Sequence, residues 1–145
     1  MSTSSPVVQQ FFEQFERSRN TFDVAAVDSQ YPDAFMFAGP DGPRVIQKTA
    51  LLDFFSQGRE FFKTLGHKKT ELVSLDETRL DEHYARVRAQ FVWRFEKAPA
   101  PPIDVEVDST FILHFKDGMA RIVFQHELEE FLHALRVRGV LAVQA

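Results

Sequence analysis

Two periodicities divide the chain. Up to Gly66 the apolar residues recur at helical spacing; from His67 onward they alternate with polar ones. Val7, Val8, Phe11, Phe12 and Phe15 share one face of a first helix, with Gln9, Gln10, Glu13, Glu16 and Arg17 between them. Ser5-Pro6 offers an N-cap hydroxyl and a proline at the first helical position, so this helix is expected over 6–19. Thr21 or Asp23 can cap a short second helix carrying Val24, Ala25 and Val27, which Tyr31-Pro32-Asp33 ends. Residues 34–38 and 44–48 read as short strands around the turn Gly39-Pro40-Asp41-Gly42-Pro43. Leu51, Leu52, Phe55, Arg59 and Phe62 mark a third helix that Thr49 can cap and Gly66 can stop.

The alternating half begins with a strand over 69–78 and a turn near Asp81-Glu82. In 84–96 the odd positions are Ala85, Val87, Ala89, Phe91, Trp93 and Phe95, while Arg86, Arg88, Gln90 and Arg94 occupy even ones. Ala98-Pro99-Ala100-Pro101-Pro102 cannot stay in a ladder and is read as a loop. The return strand keeps the rule: Ile103, Val105, Val107, Ser109, Phe111, Leu113 and Phe115 lie on the apolar face. Asp104, Glu106 and Asp108 then share the opposite face with the arginines, and such cross-strand charges help select register. Asp117-Gly118 is a strong two-residue hairpin signal. Unbroken pairing across it sets Phe115 opposite Ala120, Leu113 opposite Ile122, Phe111 opposite Phe124, and Ser109 opposite His126. Glu127, Glu129 and Glu130 are expected to open a last helix that Arg136 and Arg138 close, in keeping with the helix dipole. Its stripe is Leu128, Phe131, Leu132 and Leu135, and Gly139 stops it.

The chain has 145 residues and shows no internal repeat, so a single domain over 6–140 is expected between tails at 1–5 and 141–145. Composition sharpens the view of its interior. There are 16 Phe against one Trp and two Tyr, so the interior is apolar with few hydrogen-bonding tips. A net charge of −4 argues against nucleic-acid binding, which requires phosphate neutralisation. The basic cluster of Lys63, His67, Lys68 and Lys69 reads as a solvated loop. The absence of cysteine excludes disulfides, thiol catalysis and thiolate metal sites. No apolar run has the length of a membrane span, and Met1–Ser5 lacks the character of a signal peptide, so a cytoplasmic location is expected.

The order helix, helix, short hairpin, helix, long antiparallel strands, with Pro32-Asp33-Ala34-Phe35-Met36-Phe37 ahead of the third helix, resembles the nuclear transport factor 2-like superfamily, and its SnoaL-like branch most. The resemblance covers residues 6 to 138 and rests on element order. It implies an α+β fold: a cone-shaped, curved, mainly antiparallel sheet wrapping the N-terminal helices, with a pocket between them and a C-terminal helix. It also implies a homodimer through the outer sheet face, built here on Val92, Ile112 and Val123. Members range from ketosteroid isomerases, dehydratases and polyketide cyclases to binding modules, so fold does not fix function. The isomerases use a Tyr on the first helix, an Asp base on the first strand and a protonated Asp before the last hairpin turn. Phe15, Ala38 and Phe111 fall near those positions here, so all three chemical groups are missing.

Phe15, Phe37, Phe91, Phe95, Phe111 and Phe124 are the candidate apolar lining of a pocket, with Tyr31, Trp93 and Ser109 as its polar contacts. Asp33 and Arg44 flank its rim, although Asp33 also suits a plain turn. His126, expected across from Ser109, is the candidate acid or base; a hydrogen-bonded structural histidine is the alternative. His114 is expected on the other face, and His67, His83 and His133 lie on other elements, so no metal pair forms. No His-x-His, His-Glu-x-x-His, EF-hand or phosphate-loop pattern occurs, and no cofactor is expected. Three functions stay open: a module binding a small apolar molecule, a cofactor-independent enzyme (isomerase, dehydratase or cyclase type) on a hydrophobic carbonyl or polycyclic substrate, and a structural dimerisation module.

Overall fold

The computed structural model describes residues 4–127, 129 and 131–141. Four helices, α1 (Pro6–Thr21), α2 (Val24–Gln30), α3 (Lys48–Thr64) and α4 (Phe131–Val137), accompany six strands. The strands are β1 (Ala34–Gly39), β2 (Gly42–Gln47), β3 (His67–Arg79), β4 (Tyr84–Phe95), β5 (Ile103–Lys116) and β6 (Met119–Glu127). They form one curved, open sheet in the order β2-β1-β6-β5-β4-β3. Only β1 and β6 run parallel; every other neighbour is antiparallel. The α+β architecture read from element order is therefore the observed one. Leu128 and Glu130 of the expected last helix, and most of both expected tails, lie outside the described residues.

Each helix owes its place to its apolar stripe. Val8, Phe11, Phe12 and Phe15 of α1 are buried, Phe12 against Phe111 and Phe15 against both Phe91 and Phe111 of the sheet. Ser5 holds the N-cap of α1 with extended backbone, but its hydroxyl makes no capping bond. Its amide instead donates to Glu77 Oε1 on β3 at 2.7 Å. Lower down, the Asn20 side chain pairs with both backbone groups of Thr70, and Glu16 accepts from the Leu72 amide, so α1 is tied to β3 along its length. Asp23 caps α2 by accepting from the Ala26 amide at 3.2 Å, one of the two caps expected there. α3 begins one residue before Thr49, with Gln47 at the cap.

Turns behave as their residues dictate. Asp117 and Gly118 both take positive φ, 53° and 75°, the geometry of a two-residue hairpin turn whose twist suits the flanking strands. Gly66 has φ of 85°, and a Cβ there would lie 2.4 Å from the Glu96 carbonyl oxygen. The close approach lets Gly66 accept from the Glu96 amide at 2.8 Å, closing the junction of α3 with β3 and β4. Across the Pro-rich loop, Arg94 pairs with Asp104 at 3.6 Å and Arg88 Nε donates to Asp108 at 3.0 Å, so the charges do share the outer face. That hydrogen bond holds the Asp108 carboxyl below the usual carboxylate range.

The last hairpin departs from regular alternation. Phe115 faces Ala120 and Leu113 faces Ile122, as the turn requires. A bulge then intervenes: Ile112 pairs with Phe124, Phe111 with Gln125, Thr110 with His126, and Ser109 with Glu127. Val123 is the extra residue. One inserted residue swaps the faces of everything beyond it. The expected pairs Phe111–Phe124 and Ser109–His126 are therefore replaced. Phe124 and His126 share the outer face with Ile112 and Thr110, whereas Gln125 and Glu127 turn inward beside Phe37 and Ser109. Glu127 also ends β6 rather than opening α4, which starts at Phe131.

Candidate functional site

A cavity of about 360 Å³ lies between the concave sheet and the helices. α1 contributes Phe15 and Arg19; α3 contributes Phe54, Phe55 and Phe62. The sheet adds Phe91, Trp93 and Phe111, and Phe131 and Leu132 of α4 close one side. Phe131 sits 4.7 Å from Trp93 and 5.9 Å from Phe62, ring centre to ring centre, so α4 is docked through aromatic contacts. Such walls favour a flat apolar guest.

The polar part of the wall is built around Arg19, which is only 5% exposed. Its spacing from Phe12 and Phe15 keeps it on the buried stripe of α1, and α1 runs on to Thr21. The guanidinium carbon lies 3.4 Å from the Phe15 ring centre and 4.8 Å from that of Phe55, a charge held between two aromatic faces. Nη1 donates to Ser18 Oγ at 2.9 Å and to Gln30 Oε1 at 2.6 Å. Nη2 donates to Tyr31 Oη at 3.1 Å. Tyr31 Oη donates to Gln125 Oε1 at 2.9 Å, and Gln125 Nε2 donates to Glu127 Oε1 at 3.0 Å. Four side chains from α1, the α2–β1 junction and β6 thus form one hydrogen-bonded chain along the cavity.

Electrostatics follow from this burial. Desolvation pulls the Arg19 guanidinium below its ordinary range, opposed by Tyr31 and by the charge of Glu127. Desolvation pushes the Tyr31 phenol up, opposed by Arg19. Arg19 stays a cation at any ordinary pH and Tyr31 stays a neutral donor. Near the strand start, His67 is packed against Trp93 and Phe95 at 5.1 and 5.6 Å, with Nε2 2.9 Å from Thr70 Oγ1. Burial lowers its tendency to protonate.

Of the residues selected from sequence, Phe15, Tyr31, Phe37 and Phe91 line the cavity. Trp93, Ser109 and Phe111 do so as well. Phe95 is buried beside His67, outside the lining, because it lies at the β4 end where α3 joins β3. Phe124 and His126 are turned to the outer face by the Val123 bulge. Arg44 lines the cavity, its guanidinium 5.5 Å from the Phe37 ring centre. Asp33 is exposed and lies 3.7 Å from the Lys48 amine, a turn residue in character. Arg19, Gln125 and Glu127 were not selected from sequence. Arg19 could have been found, since its position four residues after Phe15 puts it on the apolar face. Among the described residues no group of His, Asp and Glu is arranged to hold a metal ion, and no helix is long and apolar enough to cross a membrane.

No family model matches the chain, and no curated protein matches it. Solved structures do. An NTF2-like protein from Cytophaga hutchinsonii has a TM-score of 0.65 at 13% identity, over 86% of this chain and 96% of that one. An NTF2-like protein of unknown function in nutrient uptake from Rhodospirillum rubrum gives 0.64 at 16% identity, over 86% and 98%. A protein of unknown function with a cystatin-like fold from Nostoc punctiforme gives 0.65 at 11% identity, over 90% and 96%. At these identities the likeness extends to the fold.

Proposed function

We propose that this chain, an NTF2-like fold by its structural neighbours, binds a small, mainly apolar molecule in the cavity between sheet and helices. The observation that carries this reading is a polar chain, Arg19–Tyr31–Gln125–Glu127, set into a wall that is mostly aromatic and aliphatic. A core filled only for stability gains little from a buried cation. The cavity volume of about 360 Å³ also falls in the range of small-molecule sites, roughly 300–1,000 Å³. An open cavity favours this reading over a purely structural dimer. The SnoaL-like affinity and the homodimer through the outer sheet face belong to the same proposal. Val92, Ile112, Val123 and Phe124 would supply the apolar centre of that face, and sedimentation as a monomer at micromolar concentration would remove the dimer.

A cofactor-independent acid–base enzyme is the second reading. What favours it is the carboxylate of Glu127 on the cavity wall, since His126 lies on the outer face. The binding reading is tested with Nile red, a neutral apolar fluorophore. The wild-type protein is expected to bind one equivalent saturably with enhanced emission. Ser109→Phe, which projects a ring from β5 into the cavity, is expected to weaken binding at least ten-fold while the protein stays folded. Unsaturable binding, or equal binding by the variant, would count against the cavity as the site.

A further inference from the structure

We infer that the ligand of this cavity carries a carboxylate on an apolar body, and that Arg44 at the mouth receives it. The inference rests on the binding reading above and names its ligand class and the residue that selects it.

Two arginines stand on the cavity wall, and they differ in what their N–H groups do. Arg19 is buried, and Ser18, Gln30 and Tyr31 accept from it. Arg44 is exposed and, among the described residues, makes no hydrogen bond and no ion pair. Its contact is with the Phe37 ring, whose centre lies 5.5 Å from the guanidinium carbon. A ring contact engages the charge and leaves the N–H donors to be matched by something else. Register directs this side chain to the cavity. β1 and β2 pair Phe37 with Arg44 and Phe35 with Ile46, so Arg44 and Ile46 share the face of two lining phenylalanines. Val45, between them, points the other way and is 61% exposed. Lys48, the next cation along the chain, is already engaged by Asp28 at 3.0 Å and Asp33 at 3.7 Å.

The mouth around Arg44 is apolar. Phe37, Ile46 and Leu51 are half-buried, and Phe54, also on the cavity wall, is 45% exposed. An amphipathic guest sets its rings among these side chains and its charged end at Arg44. A guanidinium is a cation that only donates, so that end is an anion. Its planar fork matches the two oxygens of one carboxylate. A phosphate would bring more charge and more oxygens, with no second unpaired cation among the described lining residues to meet them. Glu127 is the like charge to weigh against this. Arg44 aligns with Phe37, and Phe37 with Gln125, so Glu127 lies two strands from Arg44 and two residues farther along β6. At ordinary strand spacing and rise, their Cα atoms are on the order of 12 Å apart. Coulomb energy falls with distance, and solvent at an open mouth screens it over about 8 Å at physiological salt. Direct contact with Arg44 therefore outweighs repulsion from Glu127, whose charge already acts on Arg19.

2-Naphthoate and 2-naphthamide share one shape and differ in charge. Each competes with Nile red, and calorimetry gives direct affinities. On the wild-type protein at neutral pH the carboxylate is expected to bind at least ten-fold more tightly than the amide, and added salt should shrink the difference. Arg44→Gln should bring the two within about three-fold of each other, with Nile red affinity within three-fold of wild type. β2 is an edge strand, where a charge also discourages pairing with another chain. Arg44→Lys keeps that charge but lacks the fork, and should keep only part of the preference. Saturable Nile red binding with equal affinities for naphthoate and naphthamide on the wild type would overturn carboxylate recognition and leave the cavity reading standing. An unchanged naphthoate preference in a folded Arg44→Gln protein would overturn the assignment to Arg44. Absence of saturable binding by any probe would remove both readings. The wild-type comparison decides the ligand class even if a variant does not fold.

Discussion

Arg19 follows Phe15 by one helical turn and is as buried as the phenylalanines around it. Burying a guanidinium costs free energy unless its donors are used and its charge is balanced. Here Ser18, Gln30 and Tyr31 take its N–H groups, the rings of Phe15 and Phe55 cover its faces, and Glu127 supplies the opposing charge. Arg19→Met fits the space but strands the acceptors on Gln30 and Tyr31. A loss of roughly 3 kcal/mol in urea unfolding is expected. Arg19→Lys should recover only part of it, because an ammonium has neither the planar fork nor the stacking face. Equal stability of Arg19→Met and wild type would show that the network does not hold the fold. The stripe containing Arg19 was legible in the sequence. Its partners were not, since Tyr31 and Gln125 are 94 residues apart and only the folded sheet joins them.

At the scale of elements, the chain wrote some junctions plainly and left others ambiguous. Asp117-Gly118 announced its turn because two successive positive φ values suit few other pairs. Gly66 announced a helix stop, but its stronger constraint is tertiary, the Glu96 carbonyl lying where a side chain would be. Gly66→Ala is expected to cost roughly 2–3 kcal/mol, from backbone strain plus displacement of β4. Thermal and urea unfolding check it, and a loss below about 0.5 kcal/mol, the scale of ordinary surface changes, would mean the junction yields. The Val123 bulge was not legible. Val123 and Phe124 are both apolar, so the alternation reads equally well with either one facing inward. The ambiguity reversed the faces of four consecutive residues and put His126 in the place that Glu127 holds.

Across the whole molecule, element order was enough to give the α+β architecture and the concave, Phe-rich side of the sheet. It was not enough to give the chemistry inside, because that depends on register in one strand. The charge chain from Arg19 to Glu127 spans helix, loop and sheet, and exists only once all three are packed. The chain's lack of cysteine offers a clean reading of that register. Phe124→Cys, Gln125→Cys, His126→Cys and Glu127→Cys each carry one thiol, and their rates of reaction with a bulky maleimide report which face each position occupies. The bulged register predicts that labelling at positions 124 and 126 is left unchanged by a saturating cavity probe. It predicts slow labelling at 125 and 127, slowed further by a saturating cavity probe. The reverse alternation, with probe protection at 124 and 126, would restore regular pairing beyond Ile122 and contradict the assignment of Gln125 and Glu127 to the cavity.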